Sequence, residues 1–185
     1  MSLFPRIWNA LRKRVRHVRI LISARKSSQR NLQGRTGGNI LVICYGNIYR
    51  SPFVEMKLCQ HLNADRFTIR SAGFFHKSGR SCATDYIPLA REFGVPLDNH
   101  RSRRVEAADI VWADLIVIMD RKNWNELLEY REHTGNKIVW IACLLDVGWP
   151  EVDDPYGMDE EGIQKILERL NQSTEAIIKI LQPES

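Results

Sequence analysis

From residue 39 onward, short apolar runs alternate with segments whose apolar residues recur at helical spacing. The apolar runs predict four strands, at 39–44, 67–72, 115–119 and 137–142. The segments with helical spacing predict four helices, at 52–63, 84–93, 120–130 and 160–181. Strands separated by helices are typical of a parallel sheet. The sequence therefore predicts an α/β fold, with a doubly wound four-stranded parallel sheet flanked by helices in three layers.

The first 38 residues differ from the rest in pattern and in charge. Apolar residues recur at helical spacing between Pro5 and Ile22, which predicts an amphipathic helix, whereas residues 23–38 are polar and predict a flexible linker. The segment holds ten Lys and Arg and no Asp or Glu, so a chain of net charge +5 keeps 17 basic against 22 acidic residues elsewhere. We therefore predict a basic amphipathic extension with its linker at 1–38 and a globular domain at 39–185.

Four interpretations of this basic helix stay open. Residues 1–22 could bind an anionic membrane surface, and the side chains that would insert are Leu3, Phe4, Ile7, Trp8 and Leu11. The helix could instead dock a protein partner, act as an organelle transit peptide, or be a solvated tail or a misassigned start. Membrane or partner contact is favoured, and nucleic-acid binding is not expected because the charge is confined to this segment.

The cysteines indicate a reducing compartment. Cys44, Cys59, Cys82 and Cys143 are scattered, without the CxxC pairs of zinc sites or the density of a disulfide scaffold. Free thiols fit the cytosol, and no apolar run approaches the length of a transmembrane helix. We expect a cytoplasmic protein, one that could lie peripherally at the inner face of the membrane.

The candidate site follows the first predicted strand. Residues 44–52 read Cys-Tyr-Gly-Asn-Ile-Tyr-Arg-Ser-Pro. A glycine-containing turn before a helix start points backbone N–H groups at an anion, and the same field stabilises a thiolate at Cys44. The planar guanidinium of Arg50 matches two oxygens of a phosphate. A nucleophile and an anion cradle within one segment indicate phosphoryl transfer through Cys44.

Residues 40–55 resemble the active-site loop of low-molecular-weight protein tyrosine phosphatases. The resemblance continues in the family's order through Ser71-Ala72-Gly73, His100-Arg101-Ser102-Arg103, residues 113–116 with Met119-Asp120, and Asp154-Pro155-Tyr156-Gly157. It implies a phosphatase I-like fold and hydrolysis of protein phosphotyrosine through a phosphocysteine intermediate, without a metal or another cofactor. Bacterial members suggest a partner, a tyrosine kinase of polysaccharide export.

The resemblance also implies catalytic roles. Cys44 would be the nucleophile, Arg50 would bind the phosphate, and Asp154 would be the general acid that later activates water. Ser51 would donate a hydrogen bond to the thiolate, and it could also cap the helix. Asp153 would modulate the pKa of Asp154 through repulsion between like charges.

Further positions would bind the substrate or support the loop. The substrate-binding positions are Tyr45, Gly46, Asn47, Ile48, Tyr49, Ser51 and Tyr156. We expect a left-handed backbone at Asn47, a conformation that asparagine tolerates. The resemblance implies that Ser71 and His100 fix the Asn47 side chain and so hold the loop rigid.

Three loop residues depart from the family pattern. Tyr49 stands where the family usually has a second cysteine, so a protective disulfide with Cys44 is not available from that position. Ile48 stands where phosphoarginine phosphatases tend to carry threonine, which favours phosphotyrosine. Tyr45 replaces a typical aliphatic residue, and it either forms an aromatic slot with Tyr156 or packs under a neighbouring loop.

Two other functions are compatible with parts of the pattern. An arsenate reductase of the same fold would need further redox cysteines, and the chain has no convincing pair for them. A phosphotyrosine-binding module tethered by the basic helix would not need the complete set of Cys44, Arg50, Ser51 and Asp154. The retention of all four residues favours the enzyme.

Overall fold

The computed structural model describes residues 4–145 and 148–182. Its sheet has four strands, β1 (Gly38–Cys44), β2 (Phe67–Gly73), β3 (Leu115–Ile118) and β4 (Ile138–Trp140). All strand pairs are parallel, and the order across the sheet is β2-β1-β3-β4. The predicted fold class is confirmed.

Strand β1 lies in the middle of the sheet and aligns the strand ends that carry the candidate site. Its residues from Ile40 to Cys44 are all buried. Cys44 pairs with Gly73 of β2, and Ile43 pairs with Ile118 of β3. The loops that follow these three strands therefore leave the sheet at one edge, where open α/β sheets bind their ligands.

Seven helices surround this sheet in the described part of the chain. They are α1 (Phe4–Leu32), α2 (Arg50–His61), α3 (Tyr86–Glu92), α4 (Ala107–Trp112), α5 (Arg121–Leu127), α6 (Arg131–Thr134) and α7 (Glu160–Leu181). Helix α2 packs on β1, β2 and α7, and short 3-10 turns flank α6 at 128–130 and 135–137. The four helices predicted after residue 39 are present within a few residues of their expected bounds, whereas α4 and α6 were not predicted.

The predicted flexible linker is wrong for residues 23–32, because α1 continues as one helix to Leu32. Ala24, Ser28 and Leu32 lie one turn apart and are buried. The polar side chains that suggested a linker instead form hydrogen bonds with the open edge of the sheet. Ser28 Oγ accepts a hydrogen bond from the Trp140 backbone N–H at 3.0 Å, and Asn31 Nδ2 donates one to the Ile138 carbonyl at 2.9 Å. This part of α1 therefore covers the edge of β4.

No helix in the described ranges is both long enough and apolar enough to cross a bilayer. The division of the chain into two parts at residue 38 stays a prediction. Helix α1, which precedes this position, packs on β4, which follows it.

Candidate active site

Cys44 ends β1 and is almost fully buried, with 2% of its surface exposed. Two donors face its sulfur. The backbone N–H of Asn47 lies 3.1 Å from Sγ, and the hydroxyl of Ser51 donates to Sγ at 3.0 Å. Both donors are therefore in place to bond the sulfur when it acts as a nucleophile.

Asn47 fixes the shape of the loop between Cys44 and α2. Its φ of 52° is the left-handed conformation expected from the sequence. Its buried side chain donates to Ser51 Oγ at 2.9 Å and to Ser71 Oγ at 2.8 Å, and it accepts from the backbone N–H of Arg103 at 2.7 Å. The loop is therefore tied both to α2 and to the end of β2.

Ser71 and His100 both contact Asn47, but not in the same way. Ser71 contacts the side chain as expected, and it also donates to Glu55 at 2.5 Å. His100 lies 2.9 Å from the Asn47 main-chain carbonyl through Nε2, which must be the protonated nitrogen because a carbonyl only accepts. The expectation that His100 fixes the Asn47 side chain is therefore wrong, although His100 does contact the loop.

Gly73 lets the end of β2 approach this loop closely. A Cβ atom at this position would lie 2.7 Å from the Tyr45 carbonyl oxygen and 2.9 Å from the Asn47 nitrogen. Both contacts are with backbone atoms, which cannot swing away as the end of a side chain could. A residue larger than glycine would push the loop off the strand.

Arg50 begins α2, and its side chain is 1% exposed. Nη1 donates to Asp120 at 2.5 Å and to the Val152 carbonyl at 2.9 Å, and Nη2 donates to Asp154 at 2.8 Å. Burial acts to lower the pKa of Arg50, but the negative charges of Cys44, Asp154 and Asp120 more than offset it and raise the pKa. Nε of Arg50 is buried and has no hydrogen-bond partner among the described residues.

The sequence places Asp120 only in the Met119-Asp120 motif, at the start of a predicted helix, and the structure adds two contacts. Oδ1 accepts from the Asn123 backbone N–H at 2.9 Å and caps α5, while Oδ2 holds Arg50. A signal was present in the sequence, because Asp120 follows β3 and β3 neighbours β1. Residues that follow adjacent parallel strands meet at one edge of the sheet.

The loop also presents free backbone donors. The N–H groups of Gly46, Ile48 and Tyr49 make no hydrogen bond to any residue in the described ranges. They lie just before the first turn of α2, whose own N–H groups have no partner within the helix. Ser51 lies inside this turn and Tyr49 holds the N-cap position, so the expected capping role of Ser51 is not present. The arrangement is a cradle for an anion beside Sγ.

A pocket of about 410 Å³ opens over Cys44. It brings together Tyr45, Gly46, Ile48, Tyr49, Asp154 and Tyr156 of the expected residues, and it adds Phe75, Arg80 and Lys122. The structure does not separate the two alternatives considered for Tyr45. It lines the pocket while 44% exposed, and it packs edge-on against Phe75 with ring centroids 6.0 Å apart.

The three added residues come from parts of the chain in which no sequence motif indicates a site. Arg80 stacks its guanidinium 4.1 Å from the centre of the Phe75 ring and donates to the Gly46 carbonyl. Both residues follow β2, and only the folding of this long connection over the Cys44 loop places them there. Lys122 lies in the first turn of α5 on the rim of the pocket.

Tyr49, at the position where the resemblance leads one to expect a second cysteine, contacts a buried aromatic ring. Tyr49 packs edge-on against Tyr86, with centroids 4.9 Å apart. Burial and then the charges of Asp85 and Asp154 raise the pKa of Tyr49, so its phenol is neutral. Burial also raises the pKa of the nearby Cys82 to about 12, and a negative charge on Cys44 adds to this effect.

Comparisons with known proteins agree with the resemblance found in the sequence. The family described as "Low molecular weight phosphotyrosine protein phosphatase" matches residues 39–185. The phosphatase Wzb of Escherichia coli K12 is 28% identical over 149 residues, which are 79% of this chain and 97% of Wzb. The phosphatase Ptp of Acinetobacter johnsonii is 36% identical over 122 residues, which are 66% of this chain and 82% of Ptp.

A solved structure shows the same fold. The tyrosine phosphatase AmsI of Erwinia amylovora superposes with a TM-score of 0.73 at 27% identity, over 81% of this chain and 97% of AmsI. The match covers almost the whole of AmsI, so the two proteins share this fold. The chain belongs to the low molecular weight phosphotyrosine protein phosphatase family.

Proposed function

We propose that this protein hydrolyses phosphotyrosine in proteins, with Cys44 as nucleophile, Arg50 as phosphate-binding residue and Asp154 as general acid and base. One observation carries the proposal. At the base of the pocket, the Cys44 sulfur accepts two hydrogen bonds, and the buried Arg50 beside it keeps an unused donor at Nε. A buried donor without a partner is costly, and a bound phosphate would satisfy it.

In the first step Sγ of Cys44 attacks phosphorus, and the bond to the tyrosine oxygen breaks. Asp154 gives its proton to that oxygen, so the leaving group departs as a neutral phenol. In the free protein Asp154 is 35% exposed and paired with Arg50. A phosphate on Arg50 would compete for Nη2 and release this carboxyl for proton transfer.

In the second step water attacks the phosphocysteine, Asp154 accepts a proton from that water, and inorganic phosphate leaves. The sulfur departs as a thiolate, and it again accepts hydrogen bonds from Ser51 and from the Asn47 backbone N–H. The anion cradle and Arg50 stabilise the charge on the phosphoryl oxygens in both transition states.

The walls of the pocket support an aromatic substrate. Tyr45, Tyr49, Tyr156 and Ile48 place rings and an aliphatic side chain around the path to Cys44. A phenyl ring would stack there, whereas the short side chain of phosphoserine would leave the aromatic surface uncovered. The apolar Ile48 likewise favours phosphotyrosine over the polar side chain of phosphoarginine.

The direct test is phosphate release from a phosphotyrosine peptide, with chelator and fresh reductant, beside phosphoserine and phosphoarginine controls. We expect turnover selective for phosphotyrosine and none from Cys44→Ser, which should still bind the peptide. Robust turnover by Cys44→Ser would overturn the assignment of the nucleophile.

The assignment of the acid has a matched control in the adjacent carboxylate. Asp154→Asn should slow cleavage most for aryl phosphates with poor leaving groups, because those need the proton. Asp153 is exposed, and Asp153→Asn should change the rates far less. Equal effects of the two substitutions would contradict the role of Asp154.

The physiological partner is proposed by resemblance alone. The relatives EpsP, Wzb and AmsI are bacterial protein tyrosine phosphatases. On this basis we propose a bacterial tyrosine kinase of polysaccharide export as the substrate protein, to be tested by loss of its phosphotyrosine on incubation with the wild type and not with Cys44→Ser.

A further inference from the structure

The N-terminal part of α1 projects past the sheet on the side of the candidate active site. Followed backwards, α1 contacts Ile138 through Asn31, Trp140 through Ser28, and Gly148, beyond the end of β4, through Arg25. Helix and strand are therefore antiparallel. Residues 4–22 extend roughly 28 Å beyond these contacts, past the edge of the sheet where Cys44 ends β1.

This projecting part carries an apolar stripe that faces away from the domain. Trp8 and Ile22 are each 60% exposed, and Val15 is 46% exposed. The three residues are seven positions apart, so they lie on one side of the helix. The buried face through Ala24 and Ser28 lies roughly 140° away around the helix axis, and the domain that covers that face cannot cover the stripe.

Positive charge borders the stripe. Arg19, Lys26 and Arg30 are exposed and lie beside it on the helix surface. None of the three has a carboxylate partner among the described residues. The first 38 residues contain no Asp or Glu at all, so nothing within the segment neutralises these charges.

We propose that the outward face of α1, which carries this stripe and its basic border, binds an anionic lipid surface and holds the phosphatase pocket beside the membrane. A helix with a narrow apolar stripe and a basic border fits a bilayer interface, where apolar side chains enter the acyl boundary and basic ones meet the headgroups. Each basic side chain near such a surface strengthens binding about fivefold. Because the helix leaves the domain on the active-site side, the pocket stays close to the lipid.

The experiment is sedimentation of the full chain with vesicles of phosphatidylcholine alone or of phosphatidylcholine with phosphatidylserine, at low and high salt. We expect binding only to the anionic vesicles, and weaker binding at high salt. No binding to anionic vesicles, or equal binding to both kinds, would overturn the proposal. The readout does not depend on phosphatase activity, so it can fail or succeed independently of the proposed function.

Two matched pairs of variants test the surface itself. Ile22→Glu should weaken binding roughly tenfold, whereas Val111→Glu, at a similarly exposed apolar residue on α4, should not. Lys26→Glu reverses a charge and should weaken binding about twenty-fivefold, and Lys179→Glu, at an exposed lysine on α7, should not. Equal losses within either pair would show that α1 is not the binding surface. An unchanged melting temperature would establish that each variant is folded.

Discussion

Asp120 has two functions that one substitution can separate. Asparagine caps helices as well as aspartate does, so Asp120→Asn keeps the contact with the α5 N-terminus and removes the charge that holds Arg50. A guanidinium held less firmly is misplaced relative to the phosphate. We expect the turnover rate to fall about a hundredfold, measured as kcat and KM on an aryl phosphate.

A second N-cap aspartate provides the control. Asp159 caps α7 through the Gly162 N–H at 3.0 Å and lies outside the pocket. Asp159→Asn should leave kcat unchanged, and the two variants should have similar melting temperatures. A fall in kcat for both would mean that helix capping, and not the ion pair with Arg50, matters.

At this scale the sequence predicts only residues that are close along the chain or belong to a recognisable motif. Cys44, Asn47 and Arg50 share one segment, and the left-handed backbone of Asn47 is confirmed. Arg80 enters the pocket through a long connection, and the contact of His100 with a carbonyl depends on the exact path of that connection. Such contacts are set by tertiary packing, which leaves no local pattern.

The pKa values of the buried thiols predict a selective reaction with alkylating reagents. Burial raises the pKa of Cys82 to about 12 and that of Cys143 to about 11. A raised pKa keeps both as unreactive thiols at all lower pH values, and they become thiolates only as the pH approaches those values. At neutral pH, iodoacetate should therefore modify Cys44 well before either of them, as read by peptide mass spectrometry.

Inorganic phosphate should slow this modification, because the anion would occupy the cradle beside the Cys44 sulfur. Cys59 serves as an internal reference, since it is an exposed residue outside the pocket. Partial desolvation of its thiol and the charge of Glu55 raise its pKa, so its modification is slow, but phosphate should not change that rate. If phosphate slowed the modification of Cys59 as much as that of Cys44, protection would not reflect binding at the loop.

Among the secondary-structure elements, α1 stabilises the sheet through its contact with β4. Ser28 is fully buried, and Ser28→Ala would leave the Trp140 N–H without its partner. We expect a loss of about 1–3 kcal/mol in the free energy of unfolding, measured by urea denaturation. Ser27→Ala is the control. Among the residues that the structure describes, its hydroxyl bonds only the Ala24 carbonyl one turn earlier, so this substitution should cost less than about 0.5 kcal/mol. Equal costs would contradict the edge-covering role.

The same contact explains why the sequence predicted a linker here. Serine and asparagine favour turns in isolation because their side chains compete for the backbone. Ser28 and Asn31 instead direct their side chains to the outward N–H and C=O groups of an edge strand. Helical spacing of Ala24, Ser28 and Leu32 was present, but only the position of β4 makes that face a buried one.

For the whole molecule, the question is where the stable domain begins. The family match begins at residue 39, and the sequence predicted the same boundary, yet α1 is buried against β4 from Ala24 to Leu32. A chain that begins at Ser23 keeps these contacts, and one that begins at Asn39 loses them all.

We expect the first of these shortened chains to melt within a few degrees of the full chain. The second should lose about 3 kcal/mol or more in the free energy of unfolding. The surface that Leu32 covers becomes exposed, and two backbone groups of β4 lose their partners. Calorimetry of the three proteins measures the difference. Equal melting temperatures for the two shortened chains would place the boundary at residue 38, and would leave the covering of the β4 edge without an effect on stability.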